Sequence, residues 1–279
     1  MRSFSVLLSL YHKENALFLR QSLESIFTQT LLPTEVVLVE DGPLTNELYV
    51  TVKEFEDRFP MLKVVSFPLN QGLGKALNEG LKYCSYDIVA RMDTDDIGRP
   101  DRFKKQFEIF QEHPEMDVVG AWIDEFEKKV SNVLSVRKVP EEHEDILKFA
   151  KERNPVNHPV VMFRKSAVLK AGGYKHFPLF EDYNLWIRML MNGARFYNIQ
   201  ESLLFFRFSQ DMFKRRGGWK YAVTEVRLQF LFYQIGFINV FTMIKNISIR
   251  FVSRLLPNGL RSLLYKRIMR SKIPPFLKS

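Results

Sequence analysis

The sequence predicts an α/β fold: a mostly parallel sheet flanked by helices, followed by a basic helical tail. Three observations carry this. Short apolar or β-branched runs alternate with helical patterns across the first hundred residues, the order that builds parallel sheets. Polar residues cluster where those runs end, and ligands of open parallel sheets bind beyond the carboxyl ends of the strands. The charge also changes sign along the chain. Residues 212–279 hold 14 Lys or Arg against the single acid Glu225, a net of +13; the preceding 211 residues hold 27 bases and 31 acids, a net of −4.

The elements follow in order. Phe4 to Leu10 is an apolar run, and a helical pattern passes through Leu17, Leu23 and Ile26 to about Gln29. Glu35 to Val39 is β-branched and ends at Glu40-Asp41-Gly42, a turn signal. A helix near Leu48 to Phe59, a strand at Leu62 to Phe67, a helix at Ala76 to Tyr83 and a strand at Asp87 to Met92 complete the first half. Beyond it, Val118 to Phe126 and Val130 to Val136 form a strand pair and Val160 to Phe163 a short strand. Glu181 to Met191 is an amphipathic helix and Phe196 to Phe206 a strand region. The composition shift near Asp211 divides a domain, residues 1–211, from a tail, residues 212–279.

Composition sets bounds. At 279 residues and 46% hydrophobic content the chain can bury a full core, and nothing suggests disorder. Cys84 is the only cysteine, which excludes an internal disulfide and a cysteine-built metal site. No signal peptide is expected, because Met1 to Leu10 has one charge and enters a strand. The longest uncharged stretch, Leu228 to Ile244, has 17 residues and contains Gln229, Gln234, Asn239 and Thr242. A membrane-spanning helix needs roughly 20 predominantly apolar residues, so this stretch is too short and too polar.

Asp93-Thr94-Asp95, with Asp96 next, is the sharpest signal. Three carboxylates at the end of an apolar strand repel one another, and a hard divalent cation with oxygen ligands resolves the repulsion. The same residues suit a polar turn with a helix N-cap at Asp96 or Asp101. Arg91 precedes the motif and Pro100-Asp101-Arg102 opens a helix behind it. Glu40-Asp41 offers carboxylates to a pyrimidine N–H edge or a ribose hydroxyl; a turn acid is the plainer alternative. Asn70 to Asn78, with Lys75, is a glycine-containing loop opening a helix, where free N–H groups face an anion.

Glu181-Asp182 opens the amphipathic helix, where a carboxylate over a cleft serves as general base, or simply compensates the helix dipole. Ala171-Gly172-Gly173-Tyr174 marks a tight loop where a ligand can approach Gly173. His158 is a pocket candidate. Arg207, Arg215 and Arg216 flank Ser209-Gln210-Asp211 and suit diphosphate recognition, or form a solvated basic loop.

These rim segments, in this order and spacing, resemble the inverting family 2 glycosyltransferases with the GT-A fold. The match is carried by Phe4 to Tyr11, Val39 to Gly42, Asn70 to Gly80, Ala90 to Asp96 and Glu181 to Tyr183, and covers roughly residues 1–210. Asp211-Met212-Phe213-Lys214-Arg215-Arg216 also resembles a bacterial subgroup that builds capsule, exopolysaccharide and O-antigen repeat units, some of which add glucose or galactose to GlcNAc-diphospho-undecaprenol. The resemblance implies a nucleotide-sugar-binding half, residues 1–99, and an acceptor half, residues 100–211. It implies that Asp41, with Tyr11, contacts uracil, that Asp93 holds the ribose, and that Asp95 ligates Mn²⁺ or Mg²⁺ on the diphosphate. Asp182 is then the base, with Glu181 in reserve. The donor-binding candidates are Ser9, Tyr11, Glu40, Asp41, Lys75, Arg91, Asp93 and Thr94; Asp93 is also a metal candidate. Acceptor or diphosphate candidates are His158, Gly173, Arg207, Arg215 and Arg216. Leu10 stands where Thr is frequent in the family, and Glu40 where Asp is usual.

The implied reaction moves a hexose, glucose or galactose, from a UDP-sugar to a lipid-linked saccharide, at the cytoplasmic face of the bacterial inner membrane. The tail, basic and apolar, is read as seating the protein on anionic lipid, and no nucleic-acid partner is expected. A sugar nucleotidyltransferase would also use a doubly wound sheet and Mg²⁺, but calls for a glycine- and lysine/arginine-rich loop after the first strand. Ser9-Leu10-Tyr11-His12-Lys13 is not one. A membrane- or nucleic-acid-binding protein without catalysis would leave the clustered acids unexplained.

Overall fold

The computed structural model describes residues 3–208 and 218–255. Arg215, Arg216 and the tail beyond residue 255 lie outside the described residues. Four parallel strands form one half of the sheet: β1 (Ser5–Leu10), β2 (Glu35–Glu40), β3 (Leu62–Ser66) and β4 (Ile88–Arg91), in the order β3-β2-β1-β4. The near-continuous apolar runs of β1, β2 and β4 are buried on both faces, as inner parallel strands require, while the edge strand β3 is only partly buried. Val6, Leu8, Val36 and Leu38 face one core, and Leu7, Val37 and Val39 face the other.

Helices α1 (Ala16–Phe27) and α2 (Asn46–Arg58) cover the first face through Leu19, Leu23, Leu48, Val52 and Phe55. Helix α3 (Leu73–Tyr83) covers the second with Leu77 and Leu81. Gly80 allows that approach, since a Cβ there would lie 2.4 Å from Leu7 Cδ1 and 2.8 Å from Val39 Cγ2. Asn15 ends the loop before α1 by accepting from the Leu17 and Phe18 N–H groups at 2.9 and 3.2 Å, and Thr45 caps α2.

The other half of the sheet is mixed. Beyond β4 the order runs through β8 (Met162–Arg164), β6 (Val118–Phe126), β9 (Phe196–Arg207) and the short β5 (Ile97–Gly98), with β7 (Val133–Arg137) paired to β6. Only β6 and β9 are parallel here; β4–β8, β8–β6, β9–β5 and β6–β7 are antiparallel. A 3-10 turn, His158–Val160, occupies the start of the strand expected at Val160 to Phe163. Helix α4 (Arg102–Glu112) begins where Asp101-Arg102 predicted a start. Helices α5 (His143–Ala150) and α6 (Lys165–Lys170) were not anticipated; eight and six residues are too few for a legible period. Helix α7 (Glu181–Met191) matches its expected bounds.

The basic segment begins as a helical hairpin, α8 (Trp219–Gln234) and α9 (Val240–Leu255). The uncharged stretch spans the end of α8, the bend and the start of α9, and no helix among the described residues is long and apolar enough to cross a membrane. The hairpin packs onto the domain: Tyr221 meets Phe180 at 5.1 Å and Phe232 meets Tyr183 at 5.0 Å between ring centroids. Arg250 pairs with buried Glu225, Asn246 bonds Gln229 at 2.8 Å, and Lys245 pairs with Glu152 at 2.8 Å. The charge boundary near Asp211 is therefore not a boundary in the core, because Tyr221, Leu228 and Phe232 share one apolar cluster with Tyr183 and Trp186.

Candidate active site

The carboxyl end of β4 delivers the acidic turn. Asp93, Asp95 and Asp96 each place an oxygen within 4.8 Å of the others. Burial first, and Asp93 next, push the Asp95 carboxyl up to about 6. Asp96, fully buried, is pushed well above the usual carboxylate range by burial and then by Asp95 and Asp93. Its Oδ1 accepts from the Arg207 N–H at 2.8 Å, while its buried Oδ2 has no hydrogen-bond partner. Desolvated carboxylates held together against repulsion, one with an orphaned oxygen, fit a hard divalent cation. Thr94, between them, is buried.

Three arginines and one helix face hold this turn. Arg91 is buried beneath it and pairs with Asp93. Arg102, with no exposed surface, donates to the Arg91 carbonyl at 2.6 Å and to Gln106 Oε1 at 3.0 Å; burial and then Arg91 lower it to about 9. Arg207 donates through Nε to the Asp95 carbonyl at 2.9 Å and through Nη2 to Gln21 at 2.7 Å, with its guanidinium 3.8 Å from the Phe18 ring centroid. This geometry gives Arg207 a positioning place behind the turn.

On α1, Ser22 donates to the Asp93 carbonyl at 3.0 Å and Ser25 accepts from the Gly98 N–H at 3.0 Å. Gln29 bonds the Arg99 carbonyl at 2.7 Å and the Phe103 N–H at 3.1 Å. Sequence reasoning missed this face. Its signal was the set of polar residues at 21, 22 and 25 on α1, continued by Gln29 just past the helix end.

The nucleotide-side candidates lie at the ends of β1, β2 and α3. Ser9 and Tyr11 are half-buried. Glu40 is buried and accepts from the Ser66 hydroxyl at 2.6 Å. Buried Asp41 spends both oxygens on the glycine loop, accepting from the Gln71 and Gly72 N–H groups at 2.6 and 2.9 Å. Gly72 offers α3 no side-chain cap, and Asp41, at the end of β2, instead holds the loop that leads into the helix. Lys75, one turn along, is exposed.

Glu181 and Asp182 sit at the start of α7. Asp182 Oδ2 accepts from Asn154 Nδ2 at 2.6 Å, a partner that the sequence did not single out. Burial raises the Glu181 carboxyl, which also accepts backbone N–H groups, that of Leu179 among them. A Cβ on Gly74 would lie 3.4 Å from Glu181 Cγ, so the starts of α3 and α7 touch. Gly173, at φ +64°, packs where a Cβ would lie 2.6 Å from Asn78 Oδ1. Asn78 clamps the next residue, accepting from the Tyr174 N–H at 2.8 Å and donating to its carbonyl at 2.6 Å. Arg188 fixes the same loop through the Ala171 and Gly173 carbonyls.

Tyr174 joins the two sides. Its hydroxyl lies 3.0 Å from His158 Nε2, and burial raises its pKa, with Arg91 opposing and Asp182 and Asp93 adding to the shift. Burial and then Arg91 hold His158 well below its usual value, so it stays neutral. The Trp186 ring stands 5.9 Å from His158, edge-on. Asp182, Asp93 of the acidic turn and the buried Arg91 guanidinium thus all act on one tyrosine.

The profile of Glycosyl transferase family 2 matches residues 5–170. The chain belongs to this family. Its glycosyltransferase relatives extend over nearly the whole sequence. The "UDP-Gal:alpha-D-GlcNAc-diphosphoundecaprenol beta-1,3-galactosyltransferase" of Escherichia coli is 40% identical over 96% of this chain and 96% of its own length. The "Amylovoran biosynthesis glycosyltransferase AmsE" of Erwinia amylovora is 41% identical, over 95% and 98%. An uncharacterized glycosyltransferase of Haemophilus influenzae is 46% identical, over 96% and 99%. Among solved structures, S. aureus TarS 1–349 matches at TM-score 0.65 and 18% identity, covering 96% of this chain and 75% of that one. The mannosyltransferase PcManGT of Pyrobaculum calidifontis, solved with GDP-Man and Mn²⁺, matches at 0.60 and 16%, covering 96% and 76%. These structural likenesses establish the shared GT-A fold.

Proposed function

We propose that this family 2 glycosyltransferase moves a hexose, galactose or glucose, from a UDP-sugar to a lipid-linked saccharide used in a bacterial surface polysaccharide. The observation that carries this is the cluster of Asp93, Asp95 and Asp96 at the end of β4, with Asp93 and Asp182 both close enough to buried Tyr174 to act on its hydroxyl, in a chain aligned over 96% of its length with the E. coli galactosyltransferase. Asp95 and Asp93 would hold Mn²⁺ or Mg²⁺, whose charge would supply electrostatic stabilisation of the diphosphate leaving group. Asp182 takes the proton of the acceptor hydroxyl as that oxygen attacks the anomeric carbon, and the nucleotide leaves from the opposite face. Asn154 holds Oδ2, so Asp182 meets the acceptor with its other oxygen. Glu181, engaged with backbone N–H groups and packed on Gly74, is the supporting acid. Ser9, Tyr11 and Arg91 complete the donor side, with Asp41 shaping the loop that receives the nucleotide.

The reading includes a peripheral seat on the cytoplasmic leaflet. Phe230, Phe241, Ile244 and Ile249 are exposed on the hairpin alongside Arg227 and Lys245, and the one acid of the segment, Glu225, is buried. Such faces lie in the membrane interface, and basic residues add attraction to anionic lipid.

Purified protein incubated with labelled UDP-galactose or UDP-glucose and a synthetic GlcNAc-diphospho-lipid should transfer one sugar, with inversion of the anomeric configuration. Absence of transfer from every UDP-sugar, with transfer from another nucleotide sugar, would refute the donor. Sedimentation with anionic vesicles should be strong at low salt and fall as salt screens the charges; indifference to vesicles at low salt would refute the seat.

A further inference from the structure

Beside the catalytic acids the surface changes character. Leu69 and Leu73 flank the glycine loop and are 71% and 37% exposed; Leu179, two residues before Glu181, is 49% exposed. The segments that carry them meet at the Gly74–Glu181 contact. The Phe180–Tyr221 ring contact brings the start of α8 against the same loop, and Trp219 there is 65% exposed. Lys175 and Lys220 are exposed on these segments, and stretches 67–75, 172–180 and 218–224 contain no acid.

Leu179 adds an independent sign. It is the one non-glycine residue at positive φ among the described residues, at +74°. Left-handed backbone costs a leucine stability and persists where the surroundings impose it, often at functional sites. Here it aims the Leu179 N–H at the Glu181 carboxyl and leaves the side chain facing solvent.

We propose that this rim is the subsite for the isoprenyl-diphosphate part of the acceptor. The inference rests on the lipid-linked acceptor proposed above and names where that lipid is held. A sugar whose hydroxyl reaches Asp182 carries its anomeric diphosphate one ring away, outside the cleft. Lys175 and Lys220 complement that charge, and the leucines with Trp219 cover the first isoprene units, the amphipathic arrangement suited to a headgroup joined to a chain.

Binding is measured on the full chain with UDP and Mn²⁺ saturating the donor side, using farnesyl diphosphate as probe. The variant is Leu69→Ser, just outside the nucleotide loop, with Leu179→Gly. Glycine accepts the left-handed backbone, so the N–H to Glu181 is kept and only the apolar side chain is lost. Removing two exposed leucine contacts should weaken farnesyl diphosphate at least ~10-fold, while the affinity for UDP and the melting temperature stay at wild-type values. Inorganic diphosphate should compete weakly and equally in both proteins.

Equal farnesyl diphosphate affinity in the two proteins would overturn the proposal. So would wild-type protein that does not bind this probe, or a variant that loses anionic vesicles alone, which would assign the rim to the bilayer. Transfer is scored separately: a wild-type enzyme that glycosylates only lipid-free sugars sinks the lipid-linked acceptor, whereas the rim is judged on farnesyl diphosphate.

Discussion

Asp41→Asn separates a residue that touches the nucleotide from one that builds the loop. The carboxylate accepts from Gln71 and Gly72 at 2.6 and 2.9 Å and is buried. Asparagine retains one of these bonds through Oδ1, but its Nδ2 then faces a backbone N–H, donor against donor. Hydrogen bonds to a charged group contribute about 1.5–3 kcal/mol each, and a stranded buried donor costs a similar amount. A loss of about 2–3 kcal/mol follows. At about 2–4 °C per kcal/mol for a large domain, the melting temperature should fall by about 5–10 °C, and amide exchange should speed up first at Gln71, Gly72 and the first turn of α3. Affinity for UDP should weaken as well, because the loop is misplaced. If Asp41→Asn melts with wild type and exchanges these amides at the wild-type rate while UDP binding is lost, the carboxylate serves the nucleotide and the loop-building account is wrong.

Asp182→Asn should lower kcat by at least ~10²-fold with donor affinity nearly unchanged; a matching loss of donor affinity would move Asp182 to the nucleotide side. Arg207→Lys keeps the charge but not the planar fork, and should weaken Mn²⁺ at least ~10-fold by calorimetry; unaltered binding would show that the turn needs no clamp. Asp95 titrates at about 6 in the folded chain, above the ordinary value of about 3.9, so the folded state holds the proton more tightly. Its contribution to metal-free stability is thus present at low pH and lost as pH rises through about 6. The wild-type melting temperature minus that of Asp95→Asn should therefore fall as pH is raised from about 4 to about 7, and Mn²⁺ at neutral pH should reverse the loss. A flat difference would count against this.

The parallel half of the fold was legible because its inner strands are buried on both faces and read as apolar runs at Phe4 to Leu10 and Glu35 to Val39. The mixed half was less so. Strand β5 is two residues long and exists only through its pairing with β9, a contact between Ile97 and Phe205 that no local pattern announces. The acids of the site were legible because costly residues at strand ends stand out. Their supports were not. Asn154, Arg102 and Gln106 look like ordinary polar residues on a loop and a helix, and only the packing shows Asn154 against Asp182 and the other two buried together. Charge patterning placed a boundary near Asp211, but the hairpin keeps many of its bases outside while burying Tyr221, Leu228 and Phe232 in the domain.

The arginines around the acidic turn also explain how it can persist before any metal arrives. Three carboxylates this close, in a site shielded from water, would repel strongly enough to open the turn or stay protonated. Arg91 answers Asp93 directly, and Arg207 grips the turn through the Asp95 carbonyl while its own N–H engages Asp96. Arg102 has no ion pair among the described residues, and an uncompensated buried charge is ordinarily costly. Its field is nevertheless felt by the group in front of it: Asp96 raises the Arg102 pKa against the desolvation that lowers it. Lowered to about 9, the guanidinium still carries its proton at neutral pH. A lysine, which starts lower and yields its proton more readily when buried, would be more easily neutralised there. The bonds from Arg102 to the Arg91 carbonyl and to Gln106, which in turn donates to the Val119 and Val160 carbonyls, tie the turn to β6 and the 3-10 turn. The acids are thus held in place by cations that the metal need not displace.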